Sequence, residues 1–232
     1  MSEISNKNKV IVLLNYFLGY LVIYPIIIGF VINTAYKYLG LDISFIVQFA
    51  FYIIFLISMG ILCKPALKDL IKGINNNFVK ILKITVGNLL IGYALSYVIN
   101  MIIMIFTNQY SSVNQVSIET QLASTPLLIV FVTVIFAPIV EELVFRGVIY
   151  KFIEEHSNFI WAAILSAFVF GGLHVVTSIF TLNFADLLFS LTYIAQGIMI
   201  AKNYFETKSF AGAWLYHFLN NFIAIIILLL LG

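Results

Sequence analysis

Charged side chains are scarce in this chain of 232 residues, where 12 Lys and Arg and 10 Asp and Glu together make up 9%. A water-soluble domain carries about 25% charged residues, because its surface must face water. The shortage excludes an ordinary soluble enzyme, and it equally excludes a disordered chain, which would be polar and rich in charge. The net charge of +2 is too small to indicate a nucleic-acid partner.

Cysteine is almost absent as well. The single residue, Cys63, excludes an internal disulfide framework. It lies at the end of an apolar run, and neither it nor any serine has the sequence neighbours of a catalytic nucleophile. The remaining polar residues are too few to build an extramembrane domain of any size. We therefore expect the protein to work inside the bilayer or at its edge.

Apolar residues are what the chain has in abundance, since 62% are hydrophobic. A transmembrane helix needs about 20 apolar residues, so this content allows about seven spans. The sequence therefore predicts an all-α, polytopic integral membrane helical bundle that has the lipid bilayer as a partner. The predicted spans are residues 10–35, 44–63, 84–106, 125–155, 158–176, 184–201 and 209–231. Pro25 is expected to kink the first of them.

Two connections between the spans carry distinct patterns. Residues 64–83 contain five lysines interleaved with leucine and isoleucine, which fits either a short amphipathic helix on the membrane surface or a plain basic loop. Residues 107–124 are polar, lack Lys and Arg, and are predicted to form a loop. The chain accordingly divides into an N-terminal three-helix membrane region, residues 1–124, and a four-helix core, residues 125–232.

The positive charges predict the orientation of the chain in the membrane. With a cytoplasmic N-terminus, eleven of the twelve Lys and Arg fall at the inner side and only Lys37 falls outside. This distribution agrees with the excess of Lys and Arg found in cytoplasmic loops. A composition rich in Ile, Asn, Lys and Phe is typical of AT-rich genomes, so we expect a multi-pass protein of a bacterial cell membrane.

The predicted fourth span contains three charged residues, Glu141, Glu142 and Arg146. Near the bilayer centre a charge costs about 2.5–3.5 kcal/mol on insertion scales, so such residues must be paired or line a wet cavity. Glu142 and Arg146 are four residues apart, share a helical face and can form a salt bridge. Glu141 points about 100° away from Glu142, as follows from 3.6 residues per turn. A carboxylate that lies beside an ion pair and faces elsewhere is a candidate general base.

Two later spans each contribute a histidine with a partner four residues away. In the fifth span the pair is Phe170 and His174, and in the seventh it is His217 and Asn221. A single membrane histidine is commonly a hydrogen-bonded packing residue, but two of them together with an intramembrane carboxylate indicate a site. At 1.5 Å per residue, Glu141, His174 and Asn221 lie about 21, 24 and 18 Å from the inner ends of their spans. The three spans can therefore converge on one cavity.

Three motifs in this order are similar to those of a known family. They are two glutamates, three residues and an arginine (Glu141 to Arg146); an aromatic residue, three residues and a histidine (Phe170 to His174); and a histidine, three residues and an asparagine (His217 to Asn221). Together they resemble the CPBP family, also called the ABI family, of CAAX prenyl endopeptidases and bacteriocin-processing or immunity proteins. The resemblance covers residues 126–222, and the first three spans carry no such signature.

This resemblance implies an intramembrane endopeptidase and a role for each motif residue. Glu141 would activate a water molecule, with His174 assisting. His217 and Asn221 would form an oxyanion site for the tetrahedral intermediate. The supporting residues, which would hold the site together, are Glu142, Arg146 and Phe170. The implied substrate is a small peptide or a membrane protein, with bacteriocin processing, signalling-peptide processing or immunity as the biological role.

The residues leave alternatives for the chemistry and for the function. Zinc commonly takes two histidines, a carboxylate and water, and a metalloprotease could use Glu141, His174 and His217 in this way. The zincin spacing of two histidines four apart is absent, and the resemblance favours glutamate-activated water without a metal or another cofactor. The main alternative to an enzyme is a non-enzymatic membrane immunity or scaffold protein. A transporter would be expected to show internal repeats, and none is found.

Overall fold

The computed structural model describes residues 4–231, which form helices joined by short connections, with no strand among them. The predicted all-α bundle is therefore confirmed. The outermost residues of the two predicted regions, 1–3 and 232, lie outside the described part. In chain order the helices are α1 (Asn6–Leu39), α2 (Ser44–Leu62), α3 (Lys64–Thr107), α4 (Val113–Ser124), α5 (Pro126–His156), α6 (Phe159–His174), α7 (Val176–Phe180), α8 (Phe184–Thr207) and α9 (Phe210–Leu231).

Six of the described helices are long and apolar enough to cross a membrane, namely α1, α2, α3, α5, α8 and α9. Helix α6 is also apolar but has 16 residues. At 1.5 Å per residue it is about 24 Å long, which is short for a hydrocarbon core of about 30 Å. These seven helices overlap the seven predicted spans, although the third helix begins at Lys64 rather than near residue 84.

Helix α1 changes its winding just before Pro25. Leu14–Ile23 is π-helical, whereas Tyr24–Leu39 is α-helical and has Pro25 in its first turn. Proline lacks the backbone N–H that would bond to the preceding turn, so the first turn of a helical segment tolerates it. The structure thus shows a change of helix type next to Pro25, and the kink predicted there stays a prediction.

The structure decides between the two interpretations of residues 64–83. The segment is helical and continues directly into the third span, with one departure from helical dihedrals at Asn77 (φ −136°, ψ 15°). Its five lysines are exposed, whereas Ala66, Gly73 and Ile81 are buried. The segment is therefore an amphipathic helix and the basic-loop interpretation is wrong, whereas its position on the membrane surface stays a prediction.

The loop predicted over residues 107–124 is wrong for most of its length, because this segment contains α4. Ser112 caps the helix by accepting the backbone N–H of Gln115 at 3.1 Å. Serine is among the best N-cap residues because its oxygen satisfies a backbone donor that has no partner within the helix. Leu122 on α4 is buried. A cap and an apolar contact thus produce a helix in a segment with a polar composition.

Polar side chains join α3 to α8 at successive turns. Asn88 donates to Asn203 Oδ1 at 2.9 Å, and Thr192 donates to Asn100 Oδ1 at 2.6 Å. Between these pairs, Gln196 donates to the α3 backbone and to one of its serine side chains. Such hydrogen bonds hold helices together in an apolar surrounding. They position α8 against the bundle, and nothing in the sequence analysis anticipated them.

Aromatic contacts join α1 and α2 to α5. The ring of Phe136 on α5 lies 5.5 Å from that of Tyr20 and 4.7 Å from that of Tyr52, measured between centroids. Tyr16 similarly lies 6.1 Å from Phe145. The first two helices therefore pack against the helix that carries the acidic motif, and the division of the chain into two regions stays a prediction.

Candidate active site

The acidic motif lies on an α-helical stretch of α5 between two π-helical ones. Ala137–Val144 is α-helical, whereas Phe131–Phe136 before it and Phe145–Tyr150 after it are π-helical. Such irregular turns are rare in helices and occur frequently at functional sites, because an inserted residue re-aims the side chains around it. The local winding therefore sets how the two glutamates face the rest of the bundle.

Glu142 and Arg146 form the salt bridge that their spacing predicts, and both side chains are fully buried. Arg146 Nη1 donates to Glu142 Oε1 at 3.2 Å. Arg146 Nε lies 3.2 Å from Glu142 Oε2, close enough for an ion pair but not aligned as a hydrogen bond. Arg146 also donates from Nη2 to the carbonyl oxygen of Gly197 at 2.6 Å. The pair thus links α5 to α8.

Gly197 reaches this position because α6 and α8 pack closely at that point. A Cβ atom on Gly197 would lie only 2.9 Å from Ala167 Cβ and 3.0 Å from Ala167 Cα. Small residues at a membrane helix interface let the two backbones approach each other. The absent side chain therefore brings the carbonyl group of residue 197 within reach of Arg146.

His217 on α9 lies between the two glutamates of α5. Its Nδ1 atom is 2.8 Å from Glu142 Oε1, and its Nε2 atom is 3.9 Å from Glu141 Oε2. The first distance is a hydrogen bond, whereas the second is too long for one. The sequence analysis expected Glu142 to support the site through Arg146 and did not foresee its bond to His217.

Glu141 differs from its neighbour in exposure and in bonding. Its side chain is 17% exposed, whereas the side chains of Glu142 and Arg146 are completely buried. Oε2 of Glu141 is buried and accepts no hydrogen bond from any residue that the structure describes. Of these two adjacent carboxylates, Glu142 is therefore ion-paired, whereas Oε2 of Glu141 has no hydrogen-bond partner among the described residues.

His174, the last residue of α6, has a defined tautomer. Its Nδ1 atom lies 2.8 Å from the carbonyl oxygen of Phe170. Because a carbonyl oxygen can only accept, Nδ1 must carry the proton, and Nε2 of the neutral ring is then an acceptor. The imidazole ring also contacts the ring of Phe170 at 4.4 Å and stacks on Tyr193 at 4.5 Å, measured between centroids.

Phe170 contacts residues of all three motifs. Its ring lies 4.4 Å from the His174 ring, 5.8 Å from the His217 ring and 5.5 Å from the guanidinium carbon of Arg146. The last contact has the geometry of a cation–π interaction. A buried aromatic ring that touches two histidines and the arginine fixes their relative positions.

Asn221 lies on α9 one turn after His217 and is tied to the backbone of α5. Its Nδ2 atom donates to the carbonyl oxygen of Thr133 at 2.9 Å, and its Oδ1 atom accepts from Asn220 at 3.2 Å. An amide nitrogen has two N–H groups. The contact to Thr133 occupies one of them, and no described residue accepts a hydrogen bond from the other.

The sequence analysis missed two residues of α8 that contact the motifs, Tyr193 and Gly197. They are four residues apart and therefore share a helical face. Tyr193 faces His174, whereas Gly197 faces Arg146. The sequence signal that could have identified them was an aromatic residue and a small residue at this spacing in the sixth span.

The zinc alternative requires Glu141, His174 and His217 to surround one ion. Within residues 4–231, no group of three or more His, Cys, Asp or Glu side chains is placed to hold a metal ion. His217 and His174 already use their Nδ1 atoms in contacts to Glu142 and to a backbone carbonyl. The metal-free mechanism stays a prediction.

Comparison with known proteins finds similarity over the part of the chain that carries this site. Residues 123–223, which include all three motifs, match the family described as Type II CAAX prenyl endopeptidase Rce1-like. The chain is 35% identical over 97 residues to "Putative membrane peptidase YdiL" of Bacillus subtilis, a match covering 42% of this chain and 35% of that protein. It is 32% identical over 146 residues to "Membrane-embedded CAAX protease MroQ" of Staphylococcus aureus, covering 61% and 57%.

The match thus spans about a third of the first relative and somewhat more than half of the second. No solved structure matches the chain. The family model and both relatives nevertheless agree with the resemblance predicted from the motifs, and the apolar helices agree with an integral membrane protein. Through residues 123–223, this chain is similar to the Rce1-like family of type II CAAX prenyl endopeptidases.

Proposed function

We propose that this protein is an intramembrane endopeptidase that hydrolyses peptide bonds with a water molecule activated by Glu141. One observation carries the proposal. Glu141 Oε2 and His217 Nε2 come from different helices and lie 3.9 Å apart, and this oxygen has no hydrogen-bond partner among the described residues. At this separation the two atoms do not form a hydrogen bond with each other, so both can bind the reacting groups.

Glu141 is the general base of this proposal. A base must lie within hydrogen-bond reach of the proton that it removes, and the partial exposure of Glu141 gives water access to it. As Glu141 takes a proton from water, the water oxygen attacks the carbonyl carbon and the carbonyl oxygen becomes an oxyanion. The carbon–nitrogen bond then breaks, and the proton passes to the departing amine.

Glu142 and Arg146 orient His217. A carboxylate at Nδ1 holds the imidazole in place, as the third group of a catalytic triad does, and the buried guanidinium holds that carboxylate. With Nδ1 donating to Glu142, Nε2 of the neutral ring is an acceptor. His217 can therefore donate to the oxyanion only when both of its ring nitrogens carry a proton.

The other two motif residues complete the site. The unprotonated Nε2 atom of His174 can accept a hydrogen bond from the attacking water, which is the assisting role that the resemblance implies. The second N–H of Asn221 can donate to the oxyanion, and donors fixed in advance at developing charge are a major source of rate enhancement. The bond from Asn221 to Thr133 holds its amide in a defined orientation.

The substrate class follows from the location of the site and the family. A site built from helices of the bilayer suits a small peptide or a membrane protein that reaches it within the membrane. We place the protein in a bacterial cell membrane with its N-terminus in the cytoplasm. Processing of a bacteriocin or signalling peptide, or immunity against such a peptide, is the biological role that we propose.

A cleavage assay on the purified protein in lipid nanodiscs tests the proposal. We expect wild-type protein to cut a candidate precursor peptide and Glu141→Gln and His174→Ala to lose most of this activity. Glu119→Gln, an isosteric change on the exposed face of α4, is the matched control and keeps it. Retained cleavage in Glu141→Gln would refute the proposed base.

Two further arms of the assay separate the alternatives. Activity that a chelator abolishes and zinc restores would overturn the metal-free mechanism. Biological activity that persists in cells carrying Glu141→Gln would instead support a non-enzymatic immunity or scaffold role. The wild-type protein assayed with and without chelator, in the same nanodiscs, provides the reference for both arms.

A further inference from the structure

The His174 ring stacks on a residue from another helix, Tyr193 of α8. The two rings stack with centroids 4.5 Å apart and an interplanar angle of 25°. Stacked aromatic pairs at this separation prefer a defined relative orientation. The hydrogen bond from Nδ1 to Phe170 restrains one edge of the imidazole. The Tyr193 contact restrains its plane, and together they determine where Nε2 points.

The Tyr193 ring is in turn fixed through its hydroxyl group. The hydroxyl oxygen accepts from Asn114 Nδ2 at 3.2 Å, and it lies 2.7 Å from Ser112 Oγ. Because Asn114 can only donate through its nitrogen, the tyrosine proton is free to point at Ser112. Both partners belong to the start of α4, the helix that replaces the predicted loop.

This first turn of α4 is anchored by a buried carboxylate. Asp186, which is 1% exposed, accepts the backbone N–H of Val113 at 2.7 Å and the hydroxyl of Ser178 at 2.5 Å. Ser178 lies on α7, four residues after His174. One aspartate thus connects α4, the chain that follows His174, and the start of the helix that carries Tyr193.

We propose that Tyr193 is a positioning residue for His174, and that the start of α4 sets this position through the Tyr193 hydroxyl group. The inference rests on the proposed function, in which His174 assists the catalytic base. His174 is the last residue of α6, and within that helix its ring is restrained by Phe170. The stack on Tyr193 adds a restraint from a second helix, and the bonds to Ser112 and Asn114 make it depend on a helix that is distant in sequence.

Kinetics of matched variants in the cleavage assay test this inference. Since misplacing a catalytic group lowers turnover more than binding, Tyr193→Leu should lower kcat about tenfold and leave KM within about twofold. Tyr193→Phe keeps the ring and should lower kcat about threefold. The control, Thr192→Val, removes the neighbouring bond from α8 to Asn100 and should leave kcat within about twofold.

A double variant separates positioning from simple packing. If Tyr193 acts through His174, adding Tyr193→Leu to His174→Ala should cause no further loss of kcat, since coupled residues are not additive. A full additional loss would overturn the inference while leaving the proposed function intact. Wild-type cleavage by His174→Ala alone would overturn the assisting role that the proposed function gives to His174.

An NMR measurement tests the contact without any activity. The chain has three histidines, so the ring signals of His174 can be assigned by their disappearance in His174→Ala. We expect Tyr193→Leu to shift these signals and to change the ratio of the two tautomers, and Thr192→Val to leave them in place. Unchanged His174 signals in Tyr193→Leu would refute the inference whatever the kinetics show.

Discussion

Replacing each of the two adjacent glutamates by glutamine should affect a different property of the protein. Glu142→Gln should lower its stability, whereas Glu141→Gln should lower its cleavage activity. Glu142→Gln keeps the size of the side chain but removes the negative charge that faces Arg146. In the folded protein this carboxylate contacts the guanidinium through both oxygens and also bonds His217. The variant therefore leaves a fully buried positive charge without its counter-ion.

The magnitude follows from the contacts that Arg146 retains. Removing one partner of a buried ion pair costs about 3–5 kcal/mol, because the other charge stays buried and uncompensated. Arg146 keeps its bond to the Gly197 carbonyl and its contact with the Phe170 ring, so we expect a loss near the lower limit, about 3 kcal/mol. For a chain of this size each kcal/mol lowers Tm by about 2–4 °C, which gives a decrease of about 6–12 °C.

Glu141→Gln removes a carboxylate that has no Lys or Arg within ion-pair distance among the described residues and lies 3.9 Å from His217 Nε2. Its Oε2 atom accepts no hydrogen bond from the described residues, and its side chain is partly exposed. We expect Tm to stay within about 2 °C of the wild type. Cleavage should fall by at least about a hundredfold, the lower limit for losing a general base.

Thermal unfolding in nanodiscs, followed by tryptophan fluorescence, measures the first effect. The chain has two tryptophans, and one of them, Trp214, lies one turn before His217 on α9. The cleavage assay measures the second effect on the same preparations. A Glu142→Gln variant with the wild-type Tm would refute the argument from burial. A Glu141→Gln variant that unfolds as early as Glu142→Gln would refute the distinction between the two residues.

Two further predictions use neighbouring residues as controls. Asn221→Ala should lower kcat by about 10²–10³, the effect of removing an oxyanion donor. Asn220→Ala, which removes only a bond to the Asn221 oxygen, should stay close to wild type, and equal rates for both variants would contradict the assigned role. Gly171→Ala should lower the Tm measured in nanodiscs, because the new Cβ would lie 2.9 Å from the backbone nitrogen of Ile194. Gly172→Ala meets nothing within 4 Å, so an equal Tm decrease in both would count against close packing of α6 on α8.

Much of this architecture could be predicted from local features of the chain. Apolar runs of sufficient length indicated the seven helices, and spacing by four residues correctly paired Glu142 with Arg146. The segment 107–124 was predicted wrongly because its composition is that of a loop. Its helix α4 depends on the Ser112 cap and on the contact of Val113 with Asp186, which is 73 residues away.

Hydropathy and helical periodicity are properties of a single continuous segment, and they can therefore be determined from the sequence alone. They establish a membrane bundle, the faces of its helices and the three motifs that mark the family. Contacts between helices depend on how closely the backbones approach and at which register, as the packing of Gly197 on Ala167 illustrates. Only the tertiary structure therefore shows that His217 bonds Glu142, and that Tyr193 stacks on His174.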